Sequence, residues 1–241
     1  MRMADEIEKM LKGNGVNDVG FSVLPDAPEG LPYAVSIVVA LSDAVVDEIG
    51  EAPTYTYYHH YRTVNAYIDR MLLQTGMLLQ KEGYRYIPIA ASQSINTGEG
   101  LTHEGRYSHK KAAVSAGLGT IGKSTLFLHH KLGPRVRLGT LFTDCPLAES
   151  SKTAASVCGD CELCVIACPA HAIKGTGWQE GLERGAMFDA DACNSYMRQH
   201  FMKIGRGAVC GICMKVCRYS QYESVVRRKE RGEVIDKTYP L

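Results

Sequence analysis

A chain of 241 residues has room for one large domain or two small ones, and 45% hydrophobic with 22% charged residues is the balance of a globular protein with a core. A formal net charge of +1 gives no broad field to attract nucleic acid or a membrane surface. No apolar run approaches the roughly 18 residues of a membrane span. The opening MRMADEIEKMLKG is acidic and lacks the apolar centre of a signal peptide, so a cytoplasmic protein with no membrane contact is expected.

In chain order, Ile7, Met10 and Leu11 recur at helical spacing and predict a short amphipathic first helix. AVSIVVALS (34–42) is a continuous, β-branched apolar run and reads as a buried strand. From about Tyr57 to Glu82, Val64, Ile68, Met71, Leu72, Leu78 and Leu79 form one apolar stripe, a helix that Gly83 should close. YRYIPIAAS (84–92) predicts a strand whose Pro88 points to an edge or a bulge. SINTGEGLTHEG (94–105) is a loop, HKKAAVSAG a helix, AGLGTIGKS a glycine-rich turn, and TLFLHH and RVRLGTLFTD two strands. Arg135 and Arg137 alternate on the last strand, where a surface position is the default, and the pair His129–His130 reads as solvated. ESSKTAAS (149–156) is small and polar, a linker. FDADACNSYMRQHFMKI (188–204) predicts a helix with Asp189 or Asp191 near its N-cap, CGICMKVC a shorter one, and the tail from Tyr222 is charged.

All nine cysteines lie between residues 145 and 217, and that asymmetry divides the chain near 148/149. In a reducing compartment, metal or redox chemistry is the better reading than disulfides. Cys158, Cys161, Cys164 and Cys168 follow C-x2-C-x2-C-x3-C-P, with Pro169 in place. A four-iron cube needs four thiolates from separated directions. Three come from one tight loop, and bacterial ferredoxins send the fourth cysteine to the other cluster. Cys210, Cys213 and Cys217 repeat the spacing without the leading cysteine, for which Cys193 is the replacement. The crossing rule then predicts one [4Fe–4S] cluster on Cys158, Cys161, Cys164 and Cys217, and a second on Cys168, Cys193, Cys210 and Cys213. Structural zinc is the alternative, since C-x2-C pairs also bind it. Cys145 in TDCPL has no partner and reads as a small buried residue at a strand end.

AGLGTIGKS, then GPRVRLGTLFTD, the first cysteine motif, CNSY and C-x2-C-x3-C occur in the order and spacing of a known family. The chain resembles epoxyqueuosine reductase across roughly residues 30 to 220, and reductive dehalogenases carry a similar segment. The resemblance implies an α+β chain. A nitroreductase-like α/β core of cobalamin-binding type would occupy residues 1–148, and a ferredoxin-like double-cluster domain with a charged tail residues 149–241. It implies electron flow through two clusters to a cobalamin, which would reduce a small or nucleoside-like substrate. Gly117, Gly119 and Gly122 would let backbone approach the corrin, with Lys123 and Ser124 as donors to its amides or phosphate. GLGTIGKS formally fits a phosphate-binding loop, but a strand follows it where that loop needs a helix.

The family's aspartate proton donor has no counterpart in residues 94–115, so His103, Glu104 and His109 stand as candidate acids. The aromatic start of the long helix, TYTYYHHYR (54–62), reads as core and rim, with Tyr57, Tyr58 or His59 as possible corrin contacts. The helical-repeat extension that accompanies tRNA handling is expected to be absent, because the sequence ends 24 residues after Cys217. Nucleic acid is therefore an unexpected partner, and a low-potential donor such as ferredoxin or flavodoxin an expected one. Two rival readings are a ferredoxin-type electron-transfer protein that docks a partner and a flavin-containing reductase.

Overall fold

The computed structural model describes residues 3–95, 103–148, 157–207 and 209–221. The elements run α1 (Met3–Gly13), β1 (Asp18–Val23), β2 (Tyr33–Ala40), α2 (Asp43–Asp47), α3 (Tyr55–Lys81), β3 (Tyr86–Ile89), α4 (His109–Ser115), β4 (Gly119–Ile121), β5 (Phe127–His129), β6 (Val136–Thr143), α5 (Leu163–Ile166), α6 (Arg184–Met187), α7 (Ala190–His200) and α8 (Ile212–Lys215). Single 3-10 turns occupy Gly205–Gly207 and Arg218–Gln221. The loop expected at 94–105 is described only at its ends. The linker at 149–156 and the tail from Tyr222 lie outside the described residues.

The chain forms two compact units, one of residues 1–40, 61–119 and 137–155, the other of 41–60, 120–136 and 156–241. They interleave along the sequence rather than meeting once at 148/149. The reason lies in ties within the second unit. Lys215 Nζ donates to the Asp47 carbonyl at 2.6 Å and to that of Ile49. Gly211, at φ +86°, lies so close to Ile49 and Tyr57 that a Cβ would stand 2.7 and 3.0 Å from them. Arg135 is 2% exposed and binds Asp43, Asp47 and Ser220, so it is a buried cross-link rather than a surface residue.

The first unit is built on a four-stranded sheet of order β1-β2-β6-β3. β1 and β2 pair antiparallel with Gly20 opposite Ser36, and β3 and β6 pair antiparallel with Ile89 opposite Thr140. Side chains alternate between the two faces of such a sheet. Gly139 is pressed against Ile68 and Leu72 of α3, so that face, with Arg137 two residues earlier, looks at α3. Gly20 is pressed against Ala116 just after α4, where a Cβ would stand 2.9 Å from the Ala116 Cβ. The α4 face carries Ala34, Ile89, Ala112 and Phe142. The sheet is thus held between α3 and α4.

Most sequence-predicted elements are present. Gly83 closes α3 with φ +86°, and the N–H groups of Gly83 and Tyr84 return to the carbonyls of Gln80 and Leu79. Pro88 sits on an edge strand, where its missing N–H costs no ladder bond. Asp189 is the cap of α7, accepting from the Ala192 N–H at 2.9 Å. Sequence reading did not find β1, because Gly20 interrupts its apolar pattern. Gly20 is there for the close approach of α4, a tertiary demand. Nor did it find α2, a helix of five residues. Among the described residues no helix is long and apolar enough to cross a membrane.

Candidate functional site

The second unit sorts its cysteines into two sets of four. Cys158, Cys161, Cys164 and Cys217 line one cavity, together with Ser124 and Leu128. The other set surrounds the buried Cys168 and Ile173, with Cys193 and Cys213 packed against them. Cys193 feels the charge of Cys210 and Cys168, and Cys213 that of Cys210, Cys193 and Cys168. Cys217 thus lies with the thiols of the first loop, and Cys168 with those of the second motif. Cys193 takes its place from α7, one turn in from the Asp189 cap.

The thiols themselves show what the sites require. Burial, with neighbouring thiols adding to it, pushes Cys193 and Cys217 up to about 11, and raises Cys164, Cys210 and Cys213 as well. Such thiols stay neutral near pH 7. Crowding sulfur this way has no use for packing, but it suits a soft, positively charged iron–sulfide core that converts thiols to thiolates. The donor set fits iron–sulfur clusters on that ground. Cys145 stands apart in the first unit, 1% exposed at the end of β6, where burial also raises its thiol.

The glycine-rich turn is part of this second unit from Thr120 onward. β4 and β5 form a two-stranded hairpin. Its loop is Lys123–Ser124–Thr125, closed by Gly122 N–H to Leu126 O at 3.0 Å and Thr125 N–H to Gly122 O at 2.8 Å. Thr125 is left-handed at φ +58°, the usual third residue of such a loop. No helix follows, so the phosphate-loop geometry is absent here. Gly122 packs on Leu128 and Cys158, and Ser124 is buried against the cysteine cavity. The Lys123 N–H donates to Cys158 Sγ at 3.4 Å. Gly117, at φ +72°, closes α4, returning its N–H to Val114 O at 2.9 Å, and Gly119 is buried in β4. These glycines serve chain reversal and close packing.

A polar constellation lies in the first unit. Tyr61, Asn65 and Asp69 recur every four residues on one side of α3. Arg137 comes up from β6 to meet them. Its Nε donates to Asn65 Oδ1 at 2.8 Å, and its Nη2 to the Tyr61 hydroxyl and the Ala91 carbonyl, both at 3.3 Å. The guanidinium carbon also stands 4.4 Å from the Tyr61 ring centre. The Tyr61 hydroxyl meets Ser92 Oγ at 3.0 Å, and Asp69 accepts from the Ala91 N–H at 2.8 Å. Burial pushes the Tyr61 phenol up, but the Arg137 charge and the bonds from Ser92, Asn65 and Arg137 outweigh it and hold it below the ordinary tyrosine value.

His109 approaches the same 90–92 segment from the α4 side. Its Nε2 lies 3.0 Å from the Ala90 carbonyl and must donate to it. Its Nδ1 then accepts from Thr140 Oγ1 at 2.9 Å. Burial holds the ring below its ordinary pKa, so it is neutral, with both nitrogens engaged. His103 is half-buried with a left-handed backbone at φ +51°, and Glu104 is exposed, its carbonyl accepting from the Ile95 N–H. The structure thus brings His109 to the constellation as a structural support. Tyr61 and Arg137, which sequence reasoning passed over as rim and surface, form its chemical centre. The i, i+4, i+8 polar row in an otherwise apolar helix is the signal that could have revealed them.

One further expectation changes. His129 is 4% exposed, not solvated: its Nδ1 accepts from the N–H groups of Lys131 and Leu132, and its ring stacks on the exposed His130 at 4.2 Å. Tyr57 is buried against Gly211, and Tyr58 packs on Gly205, so these rings are core of the second unit.

Residues 157–220 match the family model of a 4Fe-4S double cluster binding domain, which fits the two cysteine sets. The chain is 24% identical over 238 residues to tetrachloroethene reductive dehalogenase of Desulfitobacterium hafniense, covering 91% of this chain and 39% of that protein. It is 32% identical over 127 residues to epoxyqueuosine reductase of Pseudomonas aeruginosa, covering 47% of this chain and 32% of that protein. A solved reductive dehalogenase, described as suggesting a mechanism for B12-dependent dehalogenation, superimposes with a TM-score of 0.70 at 19% identity, over 94% of this chain and 33% of the other. The chain is thus similar both to epoxyqueuosine reductases and to reductive dehalogenases, and it spans well under half the length of either curated relative.

Proposed function

We propose that the chain is an iron–sulfur reductase. Cys158, Cys161, Cys164 and Cys217 hold one [4Fe–4S] cluster, Cys168, Cys193, Cys210 and Cys213 hold the second, and Tyr61 donates a proton to the substrate that is reduced. The observation that carries this reading is the exchange of fourth thiols between the two motifs. Zinc sites close on a tetrahedral set and need no such exchange. When bound, the clusters supply one-electron storage and transfer. The electrons come from a low-potential donor of ferredoxin or flavodoxin type.

The resemblance and the B12-dependent relative support a corrinoid acceptor on a nitroreductase-like core, which when bound supplies a strongly reducing metal centre. Gly122 and Ser124 of the glycine-rich turn face the Cys158 cavity. What this chain's own residues do is clearer. Arg137 holds the Tyr61 hydroxyl in place and stabilises the phenolate left behind, so the proton leaves Tyr61 Oη for a substrate atom that has gained electron density. Asn65 and Ser92 fix that hydroxyl from two further directions. A small or nucleoside-like substrate bearing a reducible bond suits a donor array of this size.

The test is anaerobic reconstitution with iron and sulfide, iron counting, and then addition of cobalamin. About eight irons per chain with a base-off corrinoid spectrum is the expected result. Zinc in their place would refute the cluster reading. Eight irons with no corrinoid would leave an electron carrier, and a yellow protein a flavin reductase.

A further inference from the structure

The hairpin turn at Lys123 has a feature that neither corrin binding nor folding requires: a backbone N–H aimed at a cluster cysteine from outside the cysteine loops. Cys158 receives its bond from Lys123, 35 residues upstream. The turn is shaped for that approach. Gly122 has no side chain to hold it off: a Cβ there would stand 2.9 Å from Leu128 Cδ1 and 3.4 Å from Cys158 Sγ. Ser124 and Leu128 then close the same cavity wall, 5% and 3% exposed.

Resting on the cluster reading above, we infer that the Lys123 backbone N–H sets the reduction potential of the cluster held by Cys158, Cys161, Cys164 and Cys217, and that the GKS turn is a wall of that cluster site. A reduced cluster carries one more negative charge than the oxidised one, spread in part over its cysteine sulfurs. An N–H dipole pointing at such a sulfur therefore stabilises the reduced state more, and raises the potential. The same turn excludes water from that side, and Arg218, which also lines the cavity, adds positive charge. The donor recruited from a separate hairpin thus makes the cluster on Cys158 more easily reduced than the same cluster would be without it.

Lys123→Pro removes the N–H together with the ammonium and sets a ring carbon where the amide hydrogen faced Cys158 Sγ; position 123 is the second residue of a tight turn, where proline's fixed φ is favoured. Lys123→Ala removes the same ammonium and keeps the N–H, so the pair isolates the bond. In anaerobic redox titrations of the full chain followed by electron paramagnetic resonance, one cluster of Lys123→Pro should shift to a more negative potential than in Lys123→Ala, with the other cluster unmoved. Equal potentials in the two variants, each with full iron content, would overturn the inference while leaving the cluster reading intact. Wild-type protein that takes up no iron would overturn both. Should Lys123→Pro lose its cluster, pulsed resonance on wild-type protein labelled with 15N-lysine decides: a nitrogen coupling to the reduced cluster, absent in Lys123→Ala, supports the inference, and no coupling overturns it.

Discussion

Arg135 separates the forces that tie the cluster loops to residues 41–60. Its side chain is 2% exposed, while those of Asp43 and Asp47 are each 50% exposed at 3.0 and 2.7 Å. It also donates to the Asp43 carbonyl at 3.1 Å and to Ser220 Oγ, and the Ser220 N–H returns to the Cys217 carbonyl at 2.8 Å. The two ways of breaking this cluster should differ in cost. In Arg135→Met the carboxylates face water and rehydrate. The loss is then two half-exposed ion pairs at about 0.5 kcal/mol each and one hydrogen bond to Ser220 at about 1 kcal/mol, roughly 2 kcal/mol together. In Asp43→Asn/Asp47→Asn the guanidinium stays buried without a counter-charge, which costs about 3–5 kcal/mol. Urea unfolding of the anaerobically purified protein, followed by circular dichroism and cluster absorbance, should place the double asparagine variant at least ~1 kcal/mol below the methionine variant. If Arg135→Met proved as damaging or worse, the buried charge would not be what the carboxylates serve, and the tie would be a matter of packing.

Other consequences follow from the two sites. Cys193→Ala should reduce the iron of the reconstituted protein by about half, from roughly eight to roughly four per chain, whereas Cys145→Ala should leave it unchanged; iron analysis with resonance spectra distinguishes them. Tyr61→Phe should lower turnover by about 10²–10⁴ with iron content intact. Arg137→Gln removes the charge that lowers the Tyr61 phenol, so its pKa rises, and the alkaline limb of the pH–rate profile should move to higher pH; a limb that stays in place would remove Tyr61 as the acid. His109 is held neutral by burial, below its ordinary value near 6.5, while the unfolded chain takes up a proton there as pH falls. Its contribution to stability is present above about pH 6.5 and is lost on acidification. His109→Gln should therefore flatten the decline of the urea midpoint between about pH 7.5 and about pH 5.5, and an unchanged decline would count against a neutral His109.

The two cysteine groups were legible because they are written in spacing. A loop of C-x2-C-x2-C can wrap only one face of a cube, so the fourth thiol has to come from elsewhere, and CNSY with C-x2-C-x3-C supplies the partners. The long helix, its glycine cap and the edge strand marked by Pro88 were legible for a similar reason: each depends on residues within one or two turns of chain. The same local rules misplaced Arg135, Arg137 and His129, since nothing within a few residues of them shows what will cover them.

By itself, then, the sequence determined that the cysteines form two spaced groups, where α3, β2 and β6 run, and that a glycine-rich turn lies at GKS. Only the tertiary structure decided that this turn faces Cys158, that residues 41–60 and 120–136 pack with the cluster loops, and that Tyr61 stands under Arg137. Contacts of that kind join residues 35 to 168 apart. They are fixed by which surfaces exclude water together, and no periodicity in the chain records that choice.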